Sequence, residues 1–202
     1  MKQENNTLID QKTRCAWTNS APDFPRYHDE EWGFPIADDR RLFEKLCLET
    51  FQSGLSWRTI LNKRESFREA FQHFDFHKVA TFDEQKVAEL LANKDIVRNK
   101  RKILAVINNA KCAQEMVKSE GSLAAFFWRY EPDEGSLPPP ETQTTCKESI
   151  ALSKTLKKLG WTFVGPTTLY AFMQSMGLVN DHAEHCFMRV KIDQARKAFK
   201  RP

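Results

Sequence analysis

The sequence predicts an all-α fold, and three observations support this prediction. Glycine is scarce at 7 of 202 residues and phenylalanine is frequent at 15, which disfavours a turn-rich β fold. Apolar residues recur three and four positions apart along much of the chain, as they do on the buried face of an amphipathic helix. The chain contains no long alternation of apolar and polar residues of the kind that marks strands.

The clearest predicted helix starts at Asp38 or Asp39, where a carboxylate can cap the first turn, and runs to about Ser53. Its apolar stripe consists of Leu42, Phe43, Leu46 and Cys47. Gly54 ends it, and Gly160 and Gly177 stand where later helices would need a C-cap. Further helices are predicted from Ser56, over 65–74, from Thr81, after the polar link 93–95, and over 123–130, 147–159 and 167–176.

The predicted organisation is one large domain. Residues 1–13 form a polar N-terminal extension, residues 14–188 the domain, and residues 189–202 a basic tail. Within the domain, residues 132–146 hold four of the nine prolines, so this stretch is expected to be a loop that separates two helical lobes.

Composition excludes several classes of protein. Hydrophobic residues make up 41% and charged residues 29%, which is ordinary for a globular protein and excludes global disorder. No apolar run is long enough to span a membrane, and the first fourteen residues lack the apolar core of a secretory signal. Five scattered cysteines, an odd number, do not form a disulfide framework, so we expect a cytoplasmic protein.

Positive charge is concentrated in one segment. The net charge of the chain is +4, whereas residues 94–102 alone carry five bases against one acid. Such a run is more often solvated surface than a polyanion-binding site, and both interpretations stay open on charge alone.

Two His/Cys pairs near the chain ends are candidate metal ligands. His182 and Cys186 are four residues apart, so a helix would place them on one face, and Cys15 and His28 could complete a tetrahedral set for structural zinc. A closed set of this kind leaves no position for a catalytic water. The spacing alone is weak evidence, since such pairs arise by coincidence and His185 offers a competing imidazole.

Glu49 is the candidate catalytic carboxylate. On a helix it falls within ~20° of Leu42, at the edge of the apolar stripe. It either reaches solvent or caps a neighbouring helix, or it lines a pocket where desolvation raises its pKa or a bound cation or amino group holds it ionised.

Aromatic residues gather in the same N-terminal part of the chain. They are Trp17, Tyr27, Trp32 and Trp57. They either pack the core or form a stacking slot for a planar ligand such as a nucleobase. The absence of any Gly-x-Gly excludes the common phosphate-cradling loops.

Taken in order, the motifs of the chain resemble one family closely. They are Cys15-x-Trp17, Tyr27-His-Asp-x-Glu-Trp-Gly33, Leu48-Glu49-x-x-Gln-x-Gly54-Leu-Ser-Trp57, Ile96-Val-Arg98, Lys102-Ile, Leu152-Ser-Lys154, Phe163-Val-Gly165 and Gly177-Leu-Val-Asn-Asp-His182. The family is the type I bacterial 3-methyladenine-DNA glycosylases, a branch of the helix-hairpin-helix DNA glycosylases. The resemblance covers about 14–186.

The resemblance implies a role for each matching position. It implies a structural zinc ion that ties the N- and C-terminal segments together, held by Cys15, His28, His182 and Cys186. It implies a base pocket in which Glu49 hydrogen-bonds the adenine edge, with the ring stacked on Tyr27 and Trp57 and the wall completed by Trp17 and Trp32. It implies that Leu55 is a wedge toward the flipped nucleotide and that the segment 90–102 is the hairpin that contacts DNA through Lys94, Arg98 and Lys100.

The hairpin segment departs from the superfamily pattern in one respect. Residues 93–97 contain no glycine, so a left-handed turn there would fall to an Asn or Asp.

The implied activity is hydrolytic excision of 3-methyladenine from alkylated double-stranded DNA by a monomer associated with the nucleoid. The products are the free base and an abasic site. Asn99 stands where lyase-competent members of the superfamily carry lysine, so no AP lyase activity is expected; no residue that activates the water is evident. Two alternatives remain: a catalytically silent helix-hairpin-helix DNA-binding module with structural zinc, and a zinc-stapled helical protein that binds RNA or a protein partner.

Overall fold

A computed structural model describes residues 12–133 and 135–202, and this part of the chain is helical with no β-strands. Its α-helices are α1 (Phe24–Glu30), α2 (Asp39–Gln52), α3 (Trp57–Asn62), α4 (Arg64–Ala70), α5 (Phe76–Val79), α6 (Glu84–Ala92), α7 (Lys100–Glu120), α8 (Leu123–Phe127), α9 (Lys147–Lys158), α10 (Pro166–Ser175) and α11 (Met188–Ala198). Short 3₁₀ helices cover Ala16–Ser20, Gln72–Phe74 and Trp128–Tyr130. The predicted all-α class is confirmed.

Side-chain caps set the start of most of the longer helices. Asp38 caps α2, Asp83 caps α6 and Asn99 caps α7, each by accepting a hydrogen bond from a main-chain N–H three residues later. Ser56 and Ser122 do the same for α3 and α8. The predicted starts near 38, 56 and 81 therefore lie within three residues of the observed ones.

Helix α2 is the centre of the molecule and packs against α3, α7, α8 and α10. Leu42, Phe43 and Leu46 on its inner face are fully buried in the main hydrophobic core. A second apolar cluster joins the two chain ends, from Cys15 to Ile192, and Trp57 packs against both clusters. One face of α2 is consequently directed toward the region where the main core and the second apolar cluster meet.

Two local predictions were wrong. The helix expected over 65–74 ends at Ala70, because Gln72, His73 and Phe74 have positive φ angles that no α-helix accommodates. His182 and Cys186 do not share a helical turn, since the chain is irregular from Asn180 and α11 begins only at Met188.

The hairpin between α6 and α7 is formed without any left-handed residue, so the expectation that an Asn or Asp takes that conformation was also wrong. No residue of 93–99 has a positive φ angle. The Asn93 side chain accepts a hydrogen bond from the Asp95 N–H at 2.9 Å, and Lys63 Nζ donates to the carbonyls of Lys94 and Asp95 at 3.2 Å. An Asn93 side-chain turn and the Lys63 ammonium therefore hold the link between α6 and α7 in place without glycine.

Three segments named from the sequence have the following structure. Residues 132–146 connect the 3₁₀ helix at Trp128–Tyr130 to α9 without regular structure at its described positions. The segment 189–202 contains most of α11, whose Ile192 is fully buried. Most of the predicted 1–13 extension lies outside the described residues. Among the described helices, none is both long and apolar enough to cross a bilayer.

Candidate active site and metal centre

A cavity of about 390 Å³ opens beside α2. Its lining includes all the aromatic residues singled out in the sequence together with Glu49. These aromatics are Trp17, Tyr27, Trp32 and Trp57. The cavity volume is within the range typical of small-ligand sites.

Glu49 lies on the inner side of this cavity and is only 5% exposed. The alternative in which it escapes to solvent is therefore wrong. Its Oε1 atom is 3.0 Å from Nζ of Lys45, one helical turn earlier on α2. The same ammonium donates a hydrogen bond to the hydroxyl of Tyr27 at 2.7 Å. The three side chains form one buried polar group in an otherwise aromatic site.

Burial shapes the ionisation of this group. Burial and, after it, the nearby Glu49 carboxylate raise the pKa of Tyr27 well above its usual value, so the phenol stays protonated. Burial lowers the pKa of Lys45, and the adjacent Glu49 carboxylate opposes that shift. The Glu49 carboxylate, 3.0 Å away, favours the ammonium form of Lys45, which donates to the protonated phenol of Tyr27.

The aromatic rings form a connected wall. The ring centroids of Tyr27 and Trp57 are 5.4 Å apart, and those of Trp17 and Trp32 are 5.2 Å apart in an edge-to-face arrangement. Trp17 also contacts Tyr27, with centroids 6.3 Å apart. The indole N–H of Trp57 is buried and has no hydrogen-bond partner among the described residues. These rings leave a slot suited to a flat ring with polar edges.

Several cavity residues are not among those predicted from the sequence. Lys45 is one of them, although its position four residues before Glu49 on the same helix face is a signal that could have revealed it. Glu141 and Gln143 come from the proline-rich loop, where no local pattern indicates a site. Asp181 also lines the cavity, and its carboxylate accepts hydrogen bonds from the Glu141 N–H at 3.0 Å and from Gln174 at 2.5 Å.

Three of the four predicted metal ligands form a buried cluster at the junction of the chain ends. The ligand atoms of Cys15, His28 and Cys186 all lie within 4.8 Å of one another. Nε2 of His28 is 3.4 Å from Sγ of Cys186, and its Nδ1 is 2.7 Å from the Asp29 carboxylate. A carboxylate on the second ring nitrogen is the usual arrangement for a metal-binding histidine.

His182 stands beside this cluster and has an open ring nitrogen. Its ring centroid is 4.9 Å from that of His28. Its Nδ1 contacts the Asn180 side chain at 2.9 Å, while its Nε2 is buried without a hydrogen-bond partner in the described part of the chain. A buried polar atom without a partner costs free energy, which a metal ligand bond would recover. The donor set of two thiols and two imidazoles fits tetrahedral zinc.

The ionisation of the cluster agrees with that fit. Burial, followed by the nearby His28 and Arg189, lowers the pKa of His182 to about 3, so the imidazole is in the neutral form that metals bind. Burial raises the pKa of the Cys15 thiol to about 12. A thiolate at this position therefore needs a cation beside it.

Leu55 lies on the turn between α2 and α3 and is 43% exposed, one of five exposed large apolar side chains among the described residues. The turn is tied to the first turn of α7: Nζ of Lys102 donates to the carbonyls of Phe51 at 2.8 Å and Ser53 at 2.5 Å. The predicted wedge and the hairpin are thus linked through the C-terminal end of α2.

The three basic residues predicted to contact DNA lie on the hairpin surface. Lys94, Arg98 and Lys100 are all exposed, and they occupy the link between α6 and α7 and the first residue of α7. Asn99, between the last two, uses its side chain to cap α7 through the Lys102 N–H at 3.2 Å. Backbone and side-chain donors at this point are available for phosphate groups.

Comparisons with known proteins agree with this architecture. Residues 17–189 match the family model described as methyladenine glycosylase. The chain is 44% identical over 178 residues to a DNA-3-methyladenine glycosylase of Haemophilus influenzae, covering 86% of this chain and 96% of the relative. It is 42% identical over 177 residues to DNA-3-methyladenine glycosylase 1 of Escherichia coli, covering 86% and 95%.

Solved structures extend the likeness to three dimensions. A crystal structure of a 3-methyladenine DNA glycosylase I superimposes with a TM-score of 0.81 at 43% identity, covering 87% of this chain and 98% of the other. The Staphylococcus aureus enzyme, studied for its recognition of 3-methyladenine, gives 0.80 at 33% identity, covering 87% and 96%. On the sequence, the fold and the site together, the chain belongs to the methyladenine glycosylase family.

Proposed function

We propose that this protein is a DNA repair glycosylase that flips 3-methyladenine out of alkylated double-stranded DNA and excises it by hydrolysis. The observation that carries the proposal is the buried Glu49 carboxylate facing a cavity walled by Tyr27, Trp57, Trp17 and Trp32. A relative that shares 33% of its residues with this chain has been crystallised in complex with 3-methyladenine, as a tyrosine variant.

The chemistry of the lesion explains why one carboxylate is enough. Alkylation at N3 gives the purine a positive charge, so the base leaves as a neutral molecule and needs no proton from an acid. A glycosidase that cleaves an unactivated sugar bond needs two carboxylates for the same task. Glu49 can accept a hydrogen bond from the exocyclic amine and favour a cationic ring, while the aromatic faces add cation–π attraction of ~0.5–2 kcal/mol.

Selectivity for damaged DNA has two sources in this mechanism. A damaged base costs less to extrude from the duplex than a paired one. A normal purine that does enter the cavity lacks the positive charge and retains a strong glycosidic bond. Leu55, exposed on the turn that follows α2, fills the gap left by the flipped nucleotide, and Lys94, Arg98 and Lys100 hold the phosphate backbone.

The activity is that of a monofunctional glycosylase that leaves an abasic site. Strand cleavage by a lyase requires a free amine that attacks C1′ and forms a Schiff base. Asn99, at the hairpin position considered for such an amine, is a helix cap, and the amine of Lys45 is engaged by Tyr27 and Glu49. We expect no covalent adduct with abasic DNA under borohydride reduction; a trapped adduct would contradict this part of the proposal.

The buried cluster of Cys15, His28, His182 and Cys186 is proposed to hold one structural zinc ion. Zinc would supply folding energy by joining the two chain ends and would keep both thiolates ionised. The pairing of His28 with Asp29 and the unpartnered Nε2 of His182 support this ligand set. Elemental analysis of natively purified protein should find about one zinc per chain; a fully folded, metal-free protein would contradict it.

A base-release assay tests the function. Methylated duplex DNA is incubated with wild type, with Glu49→Gln and with Glu115→Gln as a control on the exposed surface of α7, and free purines are separated by chromatography. Wild type and Glu115→Gln should release 3-methyladenine, and Glu49→Gln should lose most of the activity. We expect the active species in this assay to elute as a monomer.

The other outcomes of the assay are equally informative. Release by Glu49→Gln at the wild-type rate would still support a glycosylase activity, but it would show that Glu49 contributes little to it. No release by folded, zinc-loaded wild type would favour the catalytically silent DNA-binding module. Salt-sensitive binding without preference for alkylated DNA would instead favour an RNA or protein partner.

A further inference from the structure

A lysine lies inside a pocket whose proposed ligand is itself a cation. Lys45 is only 6% exposed, and its Nζ is 3.5 Å from the ring centroid of Trp57 and 5.0 Å from that of Tyr27. The same atom is 3.0 Å from the Glu49 carboxylate and 2.7 Å from the Tyr27 hydroxyl. Each partner of this ammonium is also a residue proposed to hold the alkylated base.

The presence of Lys45 changes the electrostatics of the pocket. Glu49 is not an isolated anion, since the carboxylate and the ammonium form a buried pair of zero net charge. On its other side Lys45 borders a smaller cavity of about 100 Å³, where Glu31 and Arg64 form a second ion pair at 2.6 Å. That pair is also neutral overall. The base cavity itself holds two further carboxylates, Glu141 and Asp181, so the Lys45 ammonium offsets part of a negative charge that would otherwise attract a cation.

A cationic base that enters the pocket approaches the Lys45 ammonium, which weakens the attraction that the carboxylates of the cavity would exert on the base. It competes with Lys45 for the Glu49 carboxylate and for the electron-rich face of Trp57, and burial leaves little water to screen the repulsion. A neutral purine of the same shape pays no such repulsion. Given the proposed function, the lysine works against binding of the substrate's ground state.

We propose that Lys45 is a specificity-determining residue of the base pocket, whose ammonium lowers the affinity for a cationic purine relative to a neutral one and so favours departure of the neutral base. This inference rests on the proposed glycosylase function. When the C1′–N9 bond breaks, its electron pair passes to the purine and neutralises the ring. The positive charge passes to the sugar, water adds at C1′, and the proton of that water is lost to solvent. The repulsion from Lys45 is relieved as the charge leaves the ring.

The test compares two probes of the same shape and different charge. The compound 3,9-dimethyladeninium carries a fixed positive charge, and 3,9-dimethyl-3-deazaadenine is its neutral counterpart. Dissociation constants of the full-length protein for both probes are measured by titration calorimetry at low salt and mildly alkaline pH, where the ring nitrogen N1 of the deaza probe is unprotonated. The proteins are wild type, Lys45→Met, Lys45→Gln and, as a control, Lys111→Met on the exposed face of α7.

The expected result is a change in the ratio of the two affinities. Lys45→Met should bind the cation about tenfold more tightly relative to the neutral probe than wild type does, the scale expected on removing a buried like charge. Lys45→Gln keeps a hydrogen-bond donor for Tyr27 and should show the same direction, which covers the case in which Lys45→Met fails to fold. Lys111→Met should leave the ratio at the wild-type value. Single-turnover base release by the Lys45 variants should be slower, although they bind alkylated DNA more tightly.

The outcomes separate this inference from the proposed function. A wild type that releases no 3-methyladenine overturns the proposed function and this inference with it. A wild type that releases the base, while both Lys45 variants keep its ratio of affinities or shift it toward the neutral probe, overturns this inference alone.

Discussion

The backbone of Gly33 lies directly against the imidazole of His182. A Cβ atom placed on Gly33 would be 2.8 Å from Cε1 of His182 and 3.3 Å from its Nδ1, closer than carbon atoms approach without displacement. His182 is completely buried and cannot turn away. Gly33 also has a φ angle of +86°, which L-residues rarely adopt.

Gly33→Ala should therefore destabilise the protein and lower its content of the zinc ion that we propose for the cluster beside His182. A matched control is Gly121→Ala, because Gly121 has the same φ of +86° but no atom within 4 Å of the added Cβ. Both variants should lose about 1–2 kcal/mol of unfolding free energy from the backbone strain. Gly33→Ala should lose more, as measured by urea denaturation and elemental analysis. Equal losses of unfolding free energy in both variants, with an unchanged zinc content, would show that the His182 side chain moves to accommodate the added methyl group.

Leu55→Ala should weaken binding to abasic DNA while leaving stability nearly unchanged. The side chain is 43% exposed, so truncation removes little buried surface from the fold. If Leu55 is a wedge, the alanine variant should lose contacts with the bases that flank the flipped nucleotide. Ile150→Ala, 53% exposed on α9, is the control and should bind abasic DNA like wild type. A large drop in melting temperature for Leu55→Ala would mark it as a core residue.

Lys102→Met should destabilise the fold and impair DNA binding together. Its ammonium donates to two carbonyl groups at the C-terminal end of α2, and charged hydrogen bonds of this type contribute about 1.5–3 kcal/mol. The exposed Lys111→Met on the same helix should change unfolding free energy by no more than a few tenths of a kcal/mol. Denaturation curves and titration with abasic DNA would measure both effects. A variant as stable as wild type would show that the carbonyls of Phe51 and Ser53 accept hydrogen bonds from water when the ammonium is removed.

The contribution of Glu131 to the stability of the fold should decrease in acid. Burial disfavours its ionisation, but hydrogen bonds from Arg201 and Arg196 outweigh this effect and lower its pKa. A carboxylate with a lowered pKa stabilises the fold at pH values above the ordinary glutamate pKa, and that stabilisation is lost as pH falls below it. Glu131→Gln should be less stable than wild type at neutral pH, and the difference should shrink below about pH 4. The exposed Glu69→Gln should show a much smaller pH-dependent difference; a constant difference for Glu131→Gln would contradict the linkage.

The parts of the fold that local sequence determines were predictable. The helix caps at Asp38 and Ser56 and the apolar stripe of α2 are encoded within a few residues, and the structure has them where expected. The exception at 72–74 arises because tertiary packing, and not local propensity, fixes the positive φ angles there. Phe74 is completely buried, which suggests that the kink is held by the core.

The candidate site was predictable only as far as its motifs extend. Glu49 and the aromatic wall carry recognisable spacing, but Glu141 reaches the cavity from a loop of irregular structure. Its position depends on the contact of its N–H with Asp181, a partner 40 residues away. Such long-range contacts leave no periodic trace in the sequence. Lys45 is a different case, because it lies on the same face of α2 as Glu49. Its position becomes informative only once that face is known to be buried, since lysines are usually exposed.

The contact between the N- and C-terminal segments also has a consequence for folding during synthesis on the ribosome. The Ala183 N–H donates to Sγ of Cys15 at 3.3 Å, across 168 positions of sequence. Trp17 and Tyr27, which line the base cavity, adjoin the residues held by this contact. A nascent chain that has not yet reached Ala183 already carries Glu49 and Trp57 but lacks the support for the opposite wall. The cavity wall that contains Trp17 and Tyr27 is therefore supported only after synthesis has passed Ala183.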